Sequence, residues 1–413
     1  MKKILIISQN FYPEIGSAGN RMKNIFLLLK KRGYDVDMLT TEPTYPTKKI
    51  YENEEFWDDP SINEYESSIN RIKIRDRKYS RGIFNRLLFY LEMYFKFMVE
   101  VFINRSKYDV VLVTSPAIFV AMVGVMAKWR FRSKLILDVR DLWPESLKGV
   151  GVFNYKWILA FFNKVEKFIY KSSDEIIINS RGFKDHIVNK RNIDPSKLSF
   201  MPNAARVEEI RSNITSTDRF KVIYAGNIGL AQDGELLIEL AKELRKKDID
   251  FSIIGYGLKR QEVYDQIKKH NLSNVTFISP KTRRECLQII SQHHAGIVTL
   301  NNKSVFETVL PGKVIDYMTC GVPIVAAVSG YSKEVIEDEH VGFAVEDRDS
   351  QKLVDLIEFL QKNKKVLNEM SQNGNKYVKK NFNWDANIDT LVNVIDKLIY
   401  SKKYNEQGKV KNI

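Results

Sequence analysis

The densest chemistry in this chain lies between Leu310 and Val325, Leu-Pro-Gly-Lys-Val-Ile-Asp-Tyr-Met-Thr-Cys-Gly-Val-Pro-Ile-Val. Pro311 suits the first turn of a helix, Gly321 its end, and Pro323 the opening of the next strand. Lys313 and Asp316 stand three apart and so share one face of that short helix. A lysine at a helix N-terminus invites a phosphate, and a carboxylate one turn on accepts hydrogen bonds from vicinal ribose hydroxyls. Those are the two handles of a nucleotide diphosphate.

Three further segments offer groups of related kinds. Tyr224-Ala-Gly-Asn-Ile-Gly229 is echoed by Ile253-Ile-Gly-Tyr-Gly-Leu-Lys-Arg260, which makes Asn227, Gly229, Gly255 and Gly257 candidates for close backbone approach to a nucleotide. Lys259 or Arg260 would offset phosphate charge. Neither segment completes the six-residue dinucleotide fingerprint, and the missing third glycine argues against NAD. Tyr12-Pro-Glu-Ile-Gly-Ser-Ala-Gly-Asn-Arg21 sets Gly16, Ser17 and Gly19 before a helix, where uncrowded amides favour an anion; a turn alone would explain the same glycines. Leu137-Asp-Val-Arg-Asp-Leu-Trp-Pro-Glu-Ser146 gathers Asp138, Arg140, Asp141 and Glu145 beside Trp143. That set suits either hydrogen bonding to a polyhydroxylated ligand or structural salt bridges. It is not the Asp-x-Asp of a metal-bound diphosphate, and no metal is expected.

These segments fall where strands give way to helices. Apolar β-branched runs predict strands at Lys3–Ser8, Asp35–Thr40, Arg71–Arg75, Asp109–Ser115, Leu135–Val139, Glu175–Asn179 and Leu198–Met201, with helices at 17–32, 83–104, 117–130, 154–171 and 181–190. Glu42–Asn70 reads as a long insert or loop. After a polar linker at Arg211–Arg219, strands recur at Lys221–Tyr224, Phe251–Ile254, Val275–Ile278, Gly296–Leu300 and Pro323–Val328. The expectation is an α/β protein of two tandem Rossmann-like, doubly wound domains with a deep cleft between them, ligands lying beyond the carboxyl ends of the strands. The boundaries are 1–203, 204–384, and a C-terminal helix with a basic tail over 385–413.

Composition narrows the class. With 413 residues, 44% hydrophobic and 28% charged, the chain is a folded protein of two or three domains rather than a disordered or fibrous one. Two cysteines, Cys286 and Cys320, neither build a disulfide framework nor complete a four-cysteine zinc site. Nothing at the N-terminus resembles a signal peptide, so the cytoplasm is the expected compartment. Residues 1–200 hold 34 basic against 23 acidic side chains, a balance of +11, while the remainder holds 31 and 28, a balance of +3. A field of that sign favours anionic partners, lipid headgroups among them. The aromatic-rich stretch Ile83–Ile103, carrying Arg86, Glu92, Lys96 and Glu100, reads as a core-packed amphipathic helix or as a face touching the membrane surface. Arg71, Lys73, Arg75, Arg77, Lys78 and Arg81 precede it, a solvated face or a contact for anionic headgroups.

Taken in order with Met201-Pro-Asn, these motifs resemble glycosyltransferase family 4 over Lys3 to about Trp384, most nearly the bacterial branch of WbuB-type N-acetylfucosaminyl transferases. The resemblance implies a GT-B fold, an N-terminal acceptor domain, a C-terminal nucleotide-sugar domain, and a last helix, Trp384–Tyr400, returning to the first. It further implies metal-independent transfer with retention. The expected donor is a nucleotide-sugar substrate, UDP-linked and N-acetylated, with no cofactor. The expected acceptor is a lipid-linked saccharide of capsule or O-antigen type, met by a peripheral protein at the inner face of the cytoplasmic membrane. By position Asp316 binds the ribose, and Gly16 and Ser17 lie near the diphosphate.

Departures from the family pattern fall on the chemistry itself. Eight residues before Asp316 stands Thr308, with Glu307 beside it as the displaced candidate for the carboxylate near the anomeric centre. Gly226-Asn227 and Gln232-Asp233 replace the frequent Gly-Arg and Lys-Gly, leaving Lys313, Lys259 and Arg283 for the diphosphate. Arg140 aligns with a frequent histidine, and with Asp141 and Trp143 it forms the acceptor side. The catalytic assignments are therefore Lys313 and Glu307. One rival keeps the fold and epimerises the nucleotide sugar, which needs acid and base side chains; His186, His270, His293, His294 and His340 lack suitable neighbours in sequence, and the His293-His294 pair reads as helix surface. A nucleic-acid-binding protein has the charge but no recognisable module, and no nucleic-acid partner is expected.

Overall fold

Two all-parallel sheets organise the chain, seen in a computed structural model that describes residues 2–75, 83–149, 155–212 and 219–410, without the side chains of 83, 84, 86 and 401–410. Arg77, Lys78, Arg81 and the side chains of Phe84 and Arg86, together with linker residues 213–218, lie outside the described residues. Contacts divide the chain into one unit of Met1–Thr44, Tyr51–Pro202 and Asp385–Ile413, and a second of Tyr45–Ile50 and Asn203–Trp384.

In the first unit β1 (Lys3–Ile7), β2 (Asp35–Thr41), β3 (Ile69–Ile72), β4 (Val110–Ser115), β5 (Lys134–Val139), β6 (Glu175–Ile178) and β7 (Leu198–Phe200) stand in the order β3-β2-β1-β4-β5-β6-β7. Every pairing is parallel. Helices covering both faces explain why β4, Val-Val-Leu-Val-Thr-Ser, is buried at all six residues instead of alternating. Strand order reverses between β1 and β4, and the loops leaving those strands flank the crevice such sheets offer to ligands. The helix Trp384–Val410 belongs to this unit. Asp396 accepts from Lys2 Nζ (2.6 Å) and from the Tyr34 hydroxyl (2.7 Å), and Asn387 Nδ2 donates to the Pro202 carbonyl at 2.8 Å.

The second unit repeats the plan with β8 (Lys221–Asn227), β9 (Asp250–Tyr256), β10 (Val275–Ile278), β11 (Ala295–Thr299), β12 (Ile324–Ala327) and β13 (Gly342–Ala344), ordered β10-β9-β8-β11-β12-β13. Its reversal lies between β8 and β11, which pair through Ala295–Val222 and Gly296–Ile223. Helix starts are fixed locally. Asp233 accepts from Leu236 N, and Thr282 exchanges bonds with Glu285 in a capping box.

The doubly wound α/β class is as the sequence predicts, and several local expectations change. The third strand lies at Ile69–Ile72, not Arg71–Arg75. Its Arg71 is no solvated headgroup contact: the side chain is mostly covered, pairs with Glu66 and lies over the rings of Phe11 and Trp57. The insert after Glu42 holds short helical turns, two of them started by Asn53 and Asp59 side chains that cap backbone amides. The helix expected at 181–190 is a single α turn, Phe183–Asp185, running into a π turn, His186–Lys190. β13, only three residues long, has no counterpart among the predicted strands. No helix among the described residues is long and apolar enough to cross a membrane.

Candidate active site

In the second unit the functional groups gather where β8 ends. The helix Gly312–Thr319 starts at Pro311, and Lys313 in its first turn extends its amine to 3.6 Å from the centre of the Tyr224 ring. Lys313 Nζ is buried with no hydrogen-bond partner, and burial lowers its pKa to about 7, against an opposing pull from Asp316. An ammonium in that state has three donors and only the π face of a ring to meet them. Gly226 has φ 130°, and a Cβ there would come within 3.9 Å of Lys313 Nζ.

One turn along, Asp316 Oδ1 accepts from Arg283 at 3.0 Å. Arg283 also donates to Glu209 through Nε (2.5 Å) and Nη2 (3.0 Å). Burial alone would lower the guanidinium's pKa; the two carboxylates outweigh it and hold it well above its ordinary value. Arg283, expected as a diphosphate cation, is here paired with both Glu209 and Asp316. Its effect is to fix the Asp316 carboxylate, whose pKa burial still pushes up despite that partner.

The glycine motifs divide in use. Gly226 and Gly255 are not in turns after their strands but face each other across β8 and β9. A Cβ on Gly255 would meet Ile228 at 2.7 Å and Phe277 at 3.3 Å, so its smallness serves packing rather than a ligand. The Gly229 amide donates to Gln232 Oε1 (2.9 Å) and is already satisfied. Gly257 is different: φ is 105°, and a Cβ would stand 2.0 Å from Asn227 Oδ1, so only glycine fits. Asn227 Oδ1 accepts from the Tyr45 hydroxyl at 2.5 Å. Lys259 caps the helix Arg260–Lys269 and its amide donates to Ile228 O. Glu307 is exposed on the short turn Ser304–Thr308.

In the first unit the loop after β1 leads into the helix Ser17–Lys31 through Gly16, φ 105°. Ser17 is exposed. Gly19 is obligatory for a steric reason, since a Cβ would lie 2.2 Å from the Glu14 carbonyl oxygen. The polar set after β5 separates into two kinds. Asp138 and Arg21 are fully buried and bound to each other, Nη2 to Oδ1 at 2.7 Å, with Arg21 also donating to the Met201 and Pro202 carbonyls. Glu145 is tied to Arg191 at 2.7 Å, and Arg191 also binds Glu166. Asp138 and Glu145 are therefore held in structural salt bridges, one of the two uses open to this set in sequence.

Arg140 and Asp141 are left. Arg140 Nε is buried without a hydrogen-bond partner, and burial lowers the pKa of the guanidinium against the attraction of Asp138. Burial raises Asp141 to about 6, with Ser146 and the Leu142 amide opposing. Trp143 packs edge-on to Phe162, ring centres 4.6 Å apart.

Two family profiles match the chain, one for each unit. "Glycosyl transferase 4-like domain" covers residues 16–204 and "Glycosyl transferases group 1" covers 206–377. The chain is a GT-B glycosyltransferase. A protein of Escherichia coli (strain K12) named as a colanic acid biosynthesis glycosyl transferase, WcaI, is 23% identical over 80% of this chain and 84% of its own. Among solved structures, sucrose-phosphate synthase from Thermosynechococcus elongatus superposes with a TM-score of 0.76 at 16% identity, over 97% of this chain and 100% of that one. Anabaena Alr3699/HepE in complex with UDP and glucose gives 0.69 at 14% identity, over 96% and 100%.

Sequence reasoning about this glycosyltransferase missed Glu209, Tyr224 and the Arg21–Asp138 pair. Tyr224 lies inside an apolar strand run and Glu209 on a three-residue turn, neither with a local signal. The histidines also moved. His293 is buried, near hydrogen-bond distance (2.8 Å) of both Ile289 O and Ser252 Oγ, with its pKa lowered to about 4 by burial. His294 stacks on Phe220 and accepts the Lys221 amide. The pair sits in the turn before β11, not on a helix surface.

Proposed function

We propose that the chain transfers an N-acetylated hexosamine or deoxyhexosamine from a UDP-linked donor to a lipid-linked saccharide, with retention, without a metal ion, in the assembly of a bacterial surface polysaccharide. Lys313 carries the reading: a buried amine with unused donors, at the first turn of a helix, beyond the end of β8. As the anomeric bond breaks, charge builds on the departing diphosphate, and a fixed cation there acts most strongly in the transition state. Anion binding would return the amine to its protonated form, because the partner restores what desolvation removed. Asp316, held by Arg283, is the acceptor for ribose hydroxyls. Glu307 is the candidate near the anomeric carbon, and Arg140 and Asp141 are the groups for the acceptor sugar, with Trp143 as its apolar platform. Attack from the leaving-group face passes the acceptor proton to the diphosphate.

The UDP held by HepE supports the nucleotide, and the colanic acid in the name of WcaI supports the surface polysaccharide. The epimerase alternative has no comparable support, since His293 and His294 are engaged in packing and backbone bonds.

Melting curves with UDP, GDP and their N-acetylated sugars test the donor, with a rise for UDP compounds expected. Turnover of the donor so found, on a membrane-extracted lipid-linked acceptor, then tests Lys313. Lys313→Ala should lose about 100-fold or more in kcat; full turnover by that variant overturns the assignment.

A further inference from the structure

The first unit carries an apolar surface that its own fold leaves uncovered. On the helix Lys156–Ser172, Trp157 (74% exposed), Phe161 and Phe168 recur at the spacing of one helical face, and Tyr155 lies just before it. On the helix Ile83–Ile103, Phe95, Val99, Phe102 and Ile103 do the same. The helix Ile118–Phe131 lies between them. Its Phe119 stacks on Tyr90 (6.0 Å between centres) and meets Phe162 edge-on (6.5 Å), while its Trp129, also exposed, lies 6.4 Å from Phe168. Arg130 donates to the Phe102 and Asn104 carbonyls, which brings the end of the first helix to the same place. The exposed rings of three neighbouring helices are thus joined, Trp129 to Phe168 directly and Phe95 to Phe161 through the half-buried Tyr94, Phe119 and Phe162, and are not scattered singly.

Charge says what covers it. Lys156–Ser172 contains one acidic residue, Glu166, and that side chain is buried, bonded to Tyr170, His186 and Arg191. Lys156, Lys164 and Lys171 are left on the outside beside the rings, with Arg105 and Lys107 exposed after the first helix and Arg132 after the middle one. Aromatic rings interleaved with lysines, on helices too polar to span a bilayer, match an anionic headgroup layer over apolar chains.

We propose that this three-helix face, centred on Trp157, Phe161 and Trp129, seats the protein on an anionic phospholipid bilayer. The inference deepens the reading of a lipid-linked acceptor and does not draw on Arg71, which is committed to Glu66. Glu166 also gives the face an inward connection: Arg191 joins it to Glu145, just after the Arg140–Trp143 loop.

Full-length protein is sedimented with phosphatidylglycerol-containing vesicles and with pure phosphatidylcholine vesicles, at low and high salt. Binding to the anionic vesicles is expected to fall about tenfold or more in Trp157→Ser/Phe161→Ser at either salt. Lys164→Glu/Lys171→Glu should lose binding chiefly at low salt, where charge is least screened. Melting temperature and the shift with UDP should match the wild type in both variants. Absent binding to anionic vesicles by the wild type, or binding undiminished in the aromatic variant, overturns the proposal, as does a stable dimer in vesicle-free solution that Trp157→Ser dissociates. The donor reading stands or falls separately: a UDP shift without vesicle binding removes only this surface, and vesicle binding without any nucleotide shift removes only that reading.

Discussion

The two units treat a buried charge in opposite ways. Beyond β5 the first unit presents a carboxylate, Asp141, raised by burial to about 6, beside an arginine whose Nε has no partner. Beyond β8 the second unit presents an amine, Lys313, lowered by burial to about 7, beside a carboxylate that is itself held by an arginine. In each unit an arginine–carboxylate cluster lies nearby that is fully engaged: Arg21–Asp138 in one, Arg283–Glu209 in the other. The contrast teaches where function sits. Satisfied pairs hold the backbone, and the groups burial has pushed toward neutrality are those with something left to bind.

Breaking a satisfied pair should have the largest effect. Asp138→Ala leaves the Arg21 guanidinium buried and half-partnered, and the loss expected is about 3–5 kcal/mol, read as a lower denaturant midpoint at unchanged slope. If Asp141→Asn cost as much, the distinction between the two aspartates would fail; it should change stability little while impairing turnover.

Next comes the amine. Between pH 7 and 10.5 the unfolded chain holds a proton on Lys313 that the fold releases, so this residue's contribution to stability rises with pH and is least favourable below 7. Lys313→Met should therefore be inactive yet melt higher at pH 6, by about 2–4 °C for each kcal/mol relieved. A lower melting temperature at that pH would mean the lysine is structural.

The same two groups shape the pH dependence. In the proposed reaction Asp141 loses its proton near 6 to accept from a sugar hydroxyl, and Lys313 keeps its proton near 7 to meet a diphosphate. kcat/KM should form a narrow bell with limbs close to these values, and Asp141→Asn should remove the acid limb alone.

The smallest effect tests position rather than charge. Arg283→Lys keeps a cation but cannot bridge Glu209 and Asp316 with one planar fork, so the donor KM should rise about tenfold with kcat nearly unchanged. An equal fall in kcat would place Arg283 on the reacting phosphates after all.

How far the sequence carried this reading follows from the range of the forces involved. Strands such as Val110–Ser115 announce themselves because burial on both faces demands an unbroken apolar run. Lys313 and Asp316 were legible because a helix puts residues three apart on one face. The roles of Asp138 and Glu145 were not, since each is decided by an arginine far away in the chain, Arg21 and Arg191, which no local pattern discloses. The pairing of Arg283 was hidden for the same reason, its partner Glu209 lying 74 residues earlier. β13 escaped because three residues carry too little periodicity to separate a strand from a loop.

The last helix gives the chain a consequence for anyone who would recombine it. Ala205 bridges to the far end of its unit, its N donating to Phe382 O and its carbonyl accepting from Trp384 N, so the segment 203–384 begins and ends at one seam. Exchanging front halves with a relative would strand Ile388, Leu391 and Ile395, buried in this helix, against a foreign sheet. A chimera cut at both sides of the seam moves the second unit as a cassette and keeps the helix with its native host.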